Sequence, residues 1–306
     1  MEPKTSAEPV LQDKPISASR NAALISVMLV LDSLFFVWAR LMLPQISPVL
    51  SSMFVMSIGT VEIGIVAFIK KQIHLRVLGK YIWFFLAIGF LIAASTYVSY
   101  EAVAYIDPGT ASMLNRIAII IQLFLGFVWL KERFNRIQLG GTILAIVGVF
   151  VITYQNGDYF RVGSLLVLVA TLAYSLHTAM VKRYAEQMDF FEFFFFRLLC
   201  TSLFLILFNS VRHTLAWPSA KAWPLLILVA SIDVALGRSL YYIALKRLNL
   251  NYFTILQTIS PLLTVLWSLL LFSVLPGLQQ IIGGMAVIAG VYIVSHWKQA
   301  GLKVTR

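Results

Sequence analysis

Continuous apolar runs of about 20 residues, ten of them in succession, constrain this chain more than any other feature. A helix of that length rises far enough to cross the roughly 30 Å hydrocarbon core of a bilayer. The runs do not alternate apolar and polar residues at period two, as the strands of a lipid-facing barrel must. Inside lipid every backbone N–H and C=O needs a partner within the protein, so the spans are expected to be helical. Of the residues, 60% are hydrophobic and 12% charged, against about a quarter charged in soluble domains. A soluble fold of this composition would leave large apolar patches in water.

The spans are placed at 22–43, 48–69, 81–103, 109–130, 137–154, 163–181, 191–211, 224–245, 251–273 and 278–297. Turn signals separate them: Leu43 to Pro48, Lys70 to His74, Asp107-Pro108-Gly109 and Leu275-Pro276-Gly277. Residues 1–20, with Pro3, Pro9 and Pro15, read as a disordered cytoplasmic tail, and 299–306 as a second cytoplasmic tail. The first run is too long for the core of a cleavable signal and lacks a small-residue cleavage site after it, so an uncleaved first span is expected. A lone cysteine, Cys200, excludes an internal disulfide and a cysteine-based metal centre.

The formal charge of +11 belongs to the loops, not to a nucleic-acid surface. The termini and the loops at 70–80, 131–136, 182–183 and 246–247 hold 17 of the 24 basic residues, and the alternate loops only Arg161, Arg212 and Lys221. Cytoplasmic loops carry the Lys/Arg excess, which puts both termini in the cytoplasm. A bacterial-type inner (plasma) membrane is the expected location. A miscounted helix would scramble this alternation.

Shifted by 142 residues, the chain matches itself without gaps: Ser33 falls on Ser175, Tyr100 on Tyr242, Ala102 on Ala244, Gly141 on Gly283 and Gly148 on Gly290. The shift divides the spans five and five, over 21–158 and 159–298. Five crossings start the second copy on the opposite side, so the repeats are inverted. The expected class is therefore all-α integral membrane, ten transmembrane helices as two inverted five-helix repeats. Two similar halves that exchange conformations suit a transporter working by alternating access.

Several segments then resemble the drug/metabolite transporter superfamily, in particular proteins with two EamA-type repeats. They are Tyr100-Glu101-Ala102-Val103-Ala104-Tyr105-Ile106 running into Asp107-Pro108-Gly109-Thr110-Ala111, Trp129-Leu130-Lys131-Glu132-Arg133-Phe134, and Gln138-Leu139-Gly140-Gly141. In the second half they are Tyr242-Ile243-Ala244-Leu245, Ser260-Pro261, and Gly283-Gly284 with Gly290. The second copy has Leu271-Phe272-Ser273-Val274 where a Leu-x-Glu-Arg segment is expected, which marks a divergent branch. The resemblance implies a ten-helix fold with a substrate cavity between the halves. It covers carriers of amino acids, nucleoside-like metabolites and drugs.

Polar side chains at membrane depth are costly and mark candidate sites. Asn115 and Arg116 fall on Gln257 and Thr258 under the shift, so both halves put hydrogen-bonding groups at one level. These four are substrate-binding candidates, together with Tyr97, Tyr100, Tyr242 and Arg238. Interhelical hydrogen bonding is the competing reading. A guanidinium at Arg116 or Arg238 suits a carboxylate or phosphate. Asp32, Asp233, Glu62 and His177 are candidates for coupling or for charge pairs, with protons as the candidate ion. For Glu62 the expected partner is Arg40 or Arg197, and for Asp233 an arginine of another span. The run Phe193 to Phe196 is expected to face lipid, and Trp38, Trp83, Trp129, Trp217, Trp223 and Trp297 to anchor at the interfaces. Ser260-Pro261 either kinks its helix for gating or is a tolerated membrane proline.

No P-loop, His-Glu-x-x-His or Gly-x-Ser-x-Gly motif occurs, so neither an enzyme, a cofactor nor a metal is expected. The leading reading is a secondary active or facilitative transporter of a small polar or zwitterionic metabolite, an amino acid or a related compound. Its partners are that metabolite and membrane lipid, not nucleic acid, and the chain is a monomer or homodimer. A multidrug or organic-cation exporter is the alternative within the class; an intramembrane enzyme or a channel is the alternative outside it.

Overall fold

The computed structural model describes residues 18–130, 136–155, 159–184, 188–247 and 257–302. The Leu-Lys-Glu-Arg segment at 130–133 thus lies mostly outside the described residues. Span one is Ala18–Ser33 and Phe35–Met42, interrupted at Leu34. Span two is Pro48–Ile69; a short helix, Leu75–Lys80, leads to span three, Ile82–Ala102. Span four is Pro108–Asn115 and Ile117–Leu130, interrupted at Arg116. Span five, Arg136–Thr153, is followed by a two-residue antiparallel pairing of Tyr154–Gln155 with Tyr159–Phe160. Spans six and seven are Val162–Tyr184 and Phe190–Val211. Span eight passes from α-helix (Trp223–Val229) through a π-helical stretch (Ala230–Gly237) back to α-helix (Arg238–Arg247). Span nine is described from Gln257 and runs through Ser260–Phe272; span ten is Leu278–Leu302.

Local chemistry sets the starts. Proline opens spans two and four at Pro48 and Pro108, where no N–H partner is needed. Asp107 caps span four by accepting from the Thr110 amide at 2.8 Å, and Asp189 caps span seven by accepting from the Phe191 amide at 2.9 Å. Among the described residues, seven helical units are long and apolar enough to cross a membrane. Ser260–Phe272 and Leu278–Val294 are shorter apolar helices. Large apolar side chains such as Phe68 and Ile69 stand 77% and 73% exposed on the outer faces, a surface suited to lipid and not to water. The chain is an integral membrane protein.

The inverted repeat is visible as a pseudo-two-fold axis. Thr60 and Ser202, 142 positions apart, meet hydroxyl to hydroxyl at 2.7 Å. A residue touches its own equivalent only on a two-fold axis. Spans five and ten cross reciprocally: Gly141 packs on the Gly290 backbone and Gly148 on that of Gly283. Each contact is the other with the repeats exchanged. The absence of side chains lets the two backbones touch. Lys71 and His213, also 142 apart, both take positive φ, 54° and 53°, after spans two and seven.

Three expectations are corrected. Phe193, Phe194 and Phe196 are buried in protein, not lipid, because span seven is packed between spans two and three. Trp38 packs against the main core, whereas Trp83 and Trp217 are highly exposed. Glu62 accepts from Ser231 Oγ at 2.5 Å and so ties span two to span eight, while Arg40 turns to the Val103 carbonyl.

Candidate functional site

Three helix breaks fall at one level of the bundle. Span one breaks at Leu34, span four at Arg116 and span nine at Thr258–Ile259. A broken helix leaves carbonyls without intrahelical donors, and such backbone survives at membrane depth only where protein or a cavity receives it. Arg116 sits at its own break and serves the one across the axis. Its Nη1 donates to the Gln257 carbonyl at 3.0 Å and its Nη2 to Asp32 Oδ2 at 3.3 Å. Ser260 Oγ donates to the same Oδ2 at 2.8 Å. Behind them Thr264 donates to the Ser33 carbonyl at 2.8 Å, and the Trp267 indole N–H to Ser33 Oγ at 3.1 Å. Asn115 Oδ1 accepts from Thr171 at 3.0 Å. Spans one, four, six and nine are joined through these contacts.

A cavity of about 90 Å³ opens beside this cluster. Its wall repeats under the 142-residue shift. Asp32 pairs with Tyr174, Met56 with Leu198, Ile92 with Val234, Thr96 with Arg238, Ser99 with Tyr241, and Asn115 with Gln257. The cavity therefore lies on the pseudo-two-fold axis. Charge breaks that symmetry, since Asp32 has a tyrosine for its equivalent and Arg238 a threonine. Among the described residues, Arg116, Arg197 and Arg238 line the cavity with one carboxylate, that of Asp32. Arg238 lies over the Phe35 ring at 5.1 Å, with Asp233 Oδ2 3.9 Å from its Nη2. Arg197 Nε donates to His177 Nε2 at 3.2 Å.

Of the residues singled out in the sequence, Asn115, Arg116, Gln257, Arg238 and Asp32 line the cavity. Thr258 is buried at the span-nine break. The structure does not bring Tyr97 or Tyr100 to the wall. Tyr100 lies one residue beyond Ser99, turned about 100° round the helix, and is fully buried edge-on behind Phe35. Tyr97 accepts a hydrogen bond from Arg212 at the end of span seven. The Tyr242 side chain lies outside the described residues. Asp233, Glu62 and His177 sit behind the wall, and the arginine beside Asp233 belongs to its own span, not to another. The π-helical stretch causes this by bringing Arg238 round onto the face of Asp233.

Ser95, Thr96, Ser99, Gln122 and Tyr174 line the cavity without having been picked out in the sequence. A signal existed for most of them. Ser95 and Ser99 stand one turn apart on span three, and Gln122 follows Asn115 by seven residues.

The model of the EamA-like transporter family matches this chain twice, over residues 21–154 and 161–296. The chain is 29% identical to "Uncharacterized transporter YojE" of Bacillus subtilis, across 60% of its own length and 55% of that protein's; it spans about half of that relative. It is 23% identical to a "Probable terminal-alkyne amino-acid exporter" of Streptantibioticus cattleyicolor, across 63% of its own length and 65% of that protein's. A solved crystal structure covers 92% of this chain, with 99% of its own residues, at a TM-score of 0.63 and 19% identity, which shows a common fold.

Proposed function

The chain belongs to the EamA-like transporter family, and on that premise we propose that it carries a small zwitterionic metabolite, an amino acid or a close relative, by alternating access about the central cavity. One observation carries the reading: the cavity sits on the axis relating the two halves, and its wall holds charges of both signs, Asp32 beside Arg116. A site on the axis faces either side when the halves exchange conformations. The Streptantibioticus relative's name, a probable terminal-alkyne amino-acid exporter, supports the substrate class. Export of organic cations fits less well, since three guanidiniums in the wall repel a cation. With no nucleotide-binding motif in the sequence, transport runs on the gradient of substrate or of a coupling ion. Both termini lie in the cytoplasm of a bacterial-type inner membrane, and the carrier acts as a monomer or homodimer.

Counterflow tests the reading. The full chain, reconstituted in vesicles preloaded with unlabelled amino acids, is expected to take up labelled amino acid saturably and faster than empty vesicles do. Non-saturable uptake indicates a channel. Counterflow of organic cations alone reverses the substrate assignment. Fluorescent and periplasmic-phosphatase fusions at the C-terminus test orientation; phosphatase activity there refutes the cytoplasmic assignment.

A further inference from the structure

Arg116 is buried and has more donors than it uses. A guanidinium offers five N–H bonds; among the described residues Arg116 uses Nη1 on the Gln257 carbonyl and Nη2 on Asp32, and its buried Nε has no partner. The Asp32 contact is a single-point one at 3.3 Å, long for a charge-assisted bond, which normally closes to about 2.7–2.9 Å. Both donors that reach Asp32, from Arg116 and Ser260, meet the same Oδ2. Oδ1 takes no hydrogen bond among the described residues, and Asp32 lines the cavity. A buried guanidinium with surplus donors beside a half-engaged carboxylate is poorly explained as a purely structural pair, which would close on both oxygens.

We infer that the substrate displaces the Asp32–Arg116 ion pair: its carboxylate takes the Arg116 donors while its ammonium takes Asp32. The inference rests on the transport-site reading of the cavity and adds to it the residues that select the substrate. Breaking a buried pair strands a charge. A simple acid that takes Arg116 strands Asp32, and a simple amine that takes Asp32 strands Arg116. A molecule with both groups replaces one loose pair by two closed ones. Selection against half-substrates thus comes from the partner they leave unpaired, which is how buried polar sites reject analogues lacking one group. Without substrate, the pair neutralises itself and the empty cavity holds no unpaired Asp32 or Arg116.

Alanine and propionate test this, since they share a carboxylate and a methyl-bearing carbon and differ in the ammonium. Both are titrated by NMR into the purified full chain, its Asp32→Asn and Arg116→Gln variants, and the double variant. The wild type is expected to prefer alanine by about tenfold or more, the range of a charged hydrogen bond. In Asp32→Asn, propionate gains about tenfold because Arg116 has lost its competitor, and the preference falls to about one. Arg116→Gln and the double variant lose both ligands. A gain in propionate affinity also shows that the Asp32→Asn protein is folded. An alanine-to-propionate ratio equal in wild type and Asp32→Asn overturns the displacement while leaving the transport site standing. Failure of every protein to bind either probe overturns both.

Discussion

Gly290→Ala adds one methyl group where spans five and ten cross. The new Cβ meets the Gly141 carbonyl well inside contact distance, with the Ala145 amide nitrogen at 2.7 Å and the Ala145 Cβ at 2.8 Å. Comfortable contact lies at about 3.5–4.0 Å, so span ten must retreat by roughly 1 Å. Two of the three obstructing atoms belong to the opposite backbone, and no rotamer change relieves them. Overpacking costs about 1–3 kcal/mol, and a backbone clash belongs at the upper end. Alanine restores about 1 kcal/mol of helix propensity, which leaves a net loss of about 2 kcal/mol. Gly140→Ala is the control, because a Cβ there meets nothing within 4 Å and only the propensity gain remains. The two variants, identical in chemistry, therefore differ by about 3 kcal/mol. Cys200 is the one cysteine and is buried, so a thiol-reactive dye reports thermal unfolding of the detergent-purified protein. Gly290→Ala is expected to melt several degrees below wild type and Gly140→Ala at or above it. Coincident melting of the two variants refutes a backbone-to-backbone seam.

Arg116→Ala strands Asp32 and opens the Gln257 carbonyl, at a cost of about 3–5 kcal/mol; adding Asp32→Ala recovers part of that, and thermal melts showing no recovery would mean that the pair is not coupled. Phe194→Ala, at a fully buried position, is expected to lose about 3–5 kcal/mol, whereas Trp83→Ala, 82% exposed in the wild type, stays within about 0.5 kcal/mol; equal melts would return the phenylalanine run to a lipid-facing role. Cysteines at positions 60 and 202, in a Cys200→Ser background, are expected to form a disulfide on mild oxidation, because the hydroxyls they replace stand 2.7 Å apart. Mass spectrometry of the digested protein detects the linked peptides; their absence counts against the axis.

The charged candidates show where sequence reading succeeds and where it stops. Arg116 and Asp32 are conspicuous because a charge in an apolar run has few cheap explanations. Their pairing was not readable, since 84 residues separate them and each had several candidate partners. Glu62 was assigned an arginine and instead took Ser231, as hydropathy weighs residues and not directions. Ser95, Thr96 and Ser99 are weak signals, because hydroxyls are mild enough to occur on any face of a membrane helix. The break at Leu34 carries no glycine or proline signal at that residue.

The sequence alone determined the number of spans, their lengths and the 142-residue repeat. The spans follow from transfer of side chains into lipid, which acts residue by residue along the chain, and the repeat from the ungapped match of the two halves. Only the tertiary structure decided which face of each span meets protein. Lipid tails are as apolar as leucine, so no hydrophobic difference separates a protein-facing side from a lipid-facing one. Phe194 and Phe68 are the same residue to a hydropathy scale, yet one is fully buried and the other 77% exposed. Backbone contact at the glycine seam and the hydrogen bonds of Arg116 made that choice. The same forces set the cavity on the axis between the two halves.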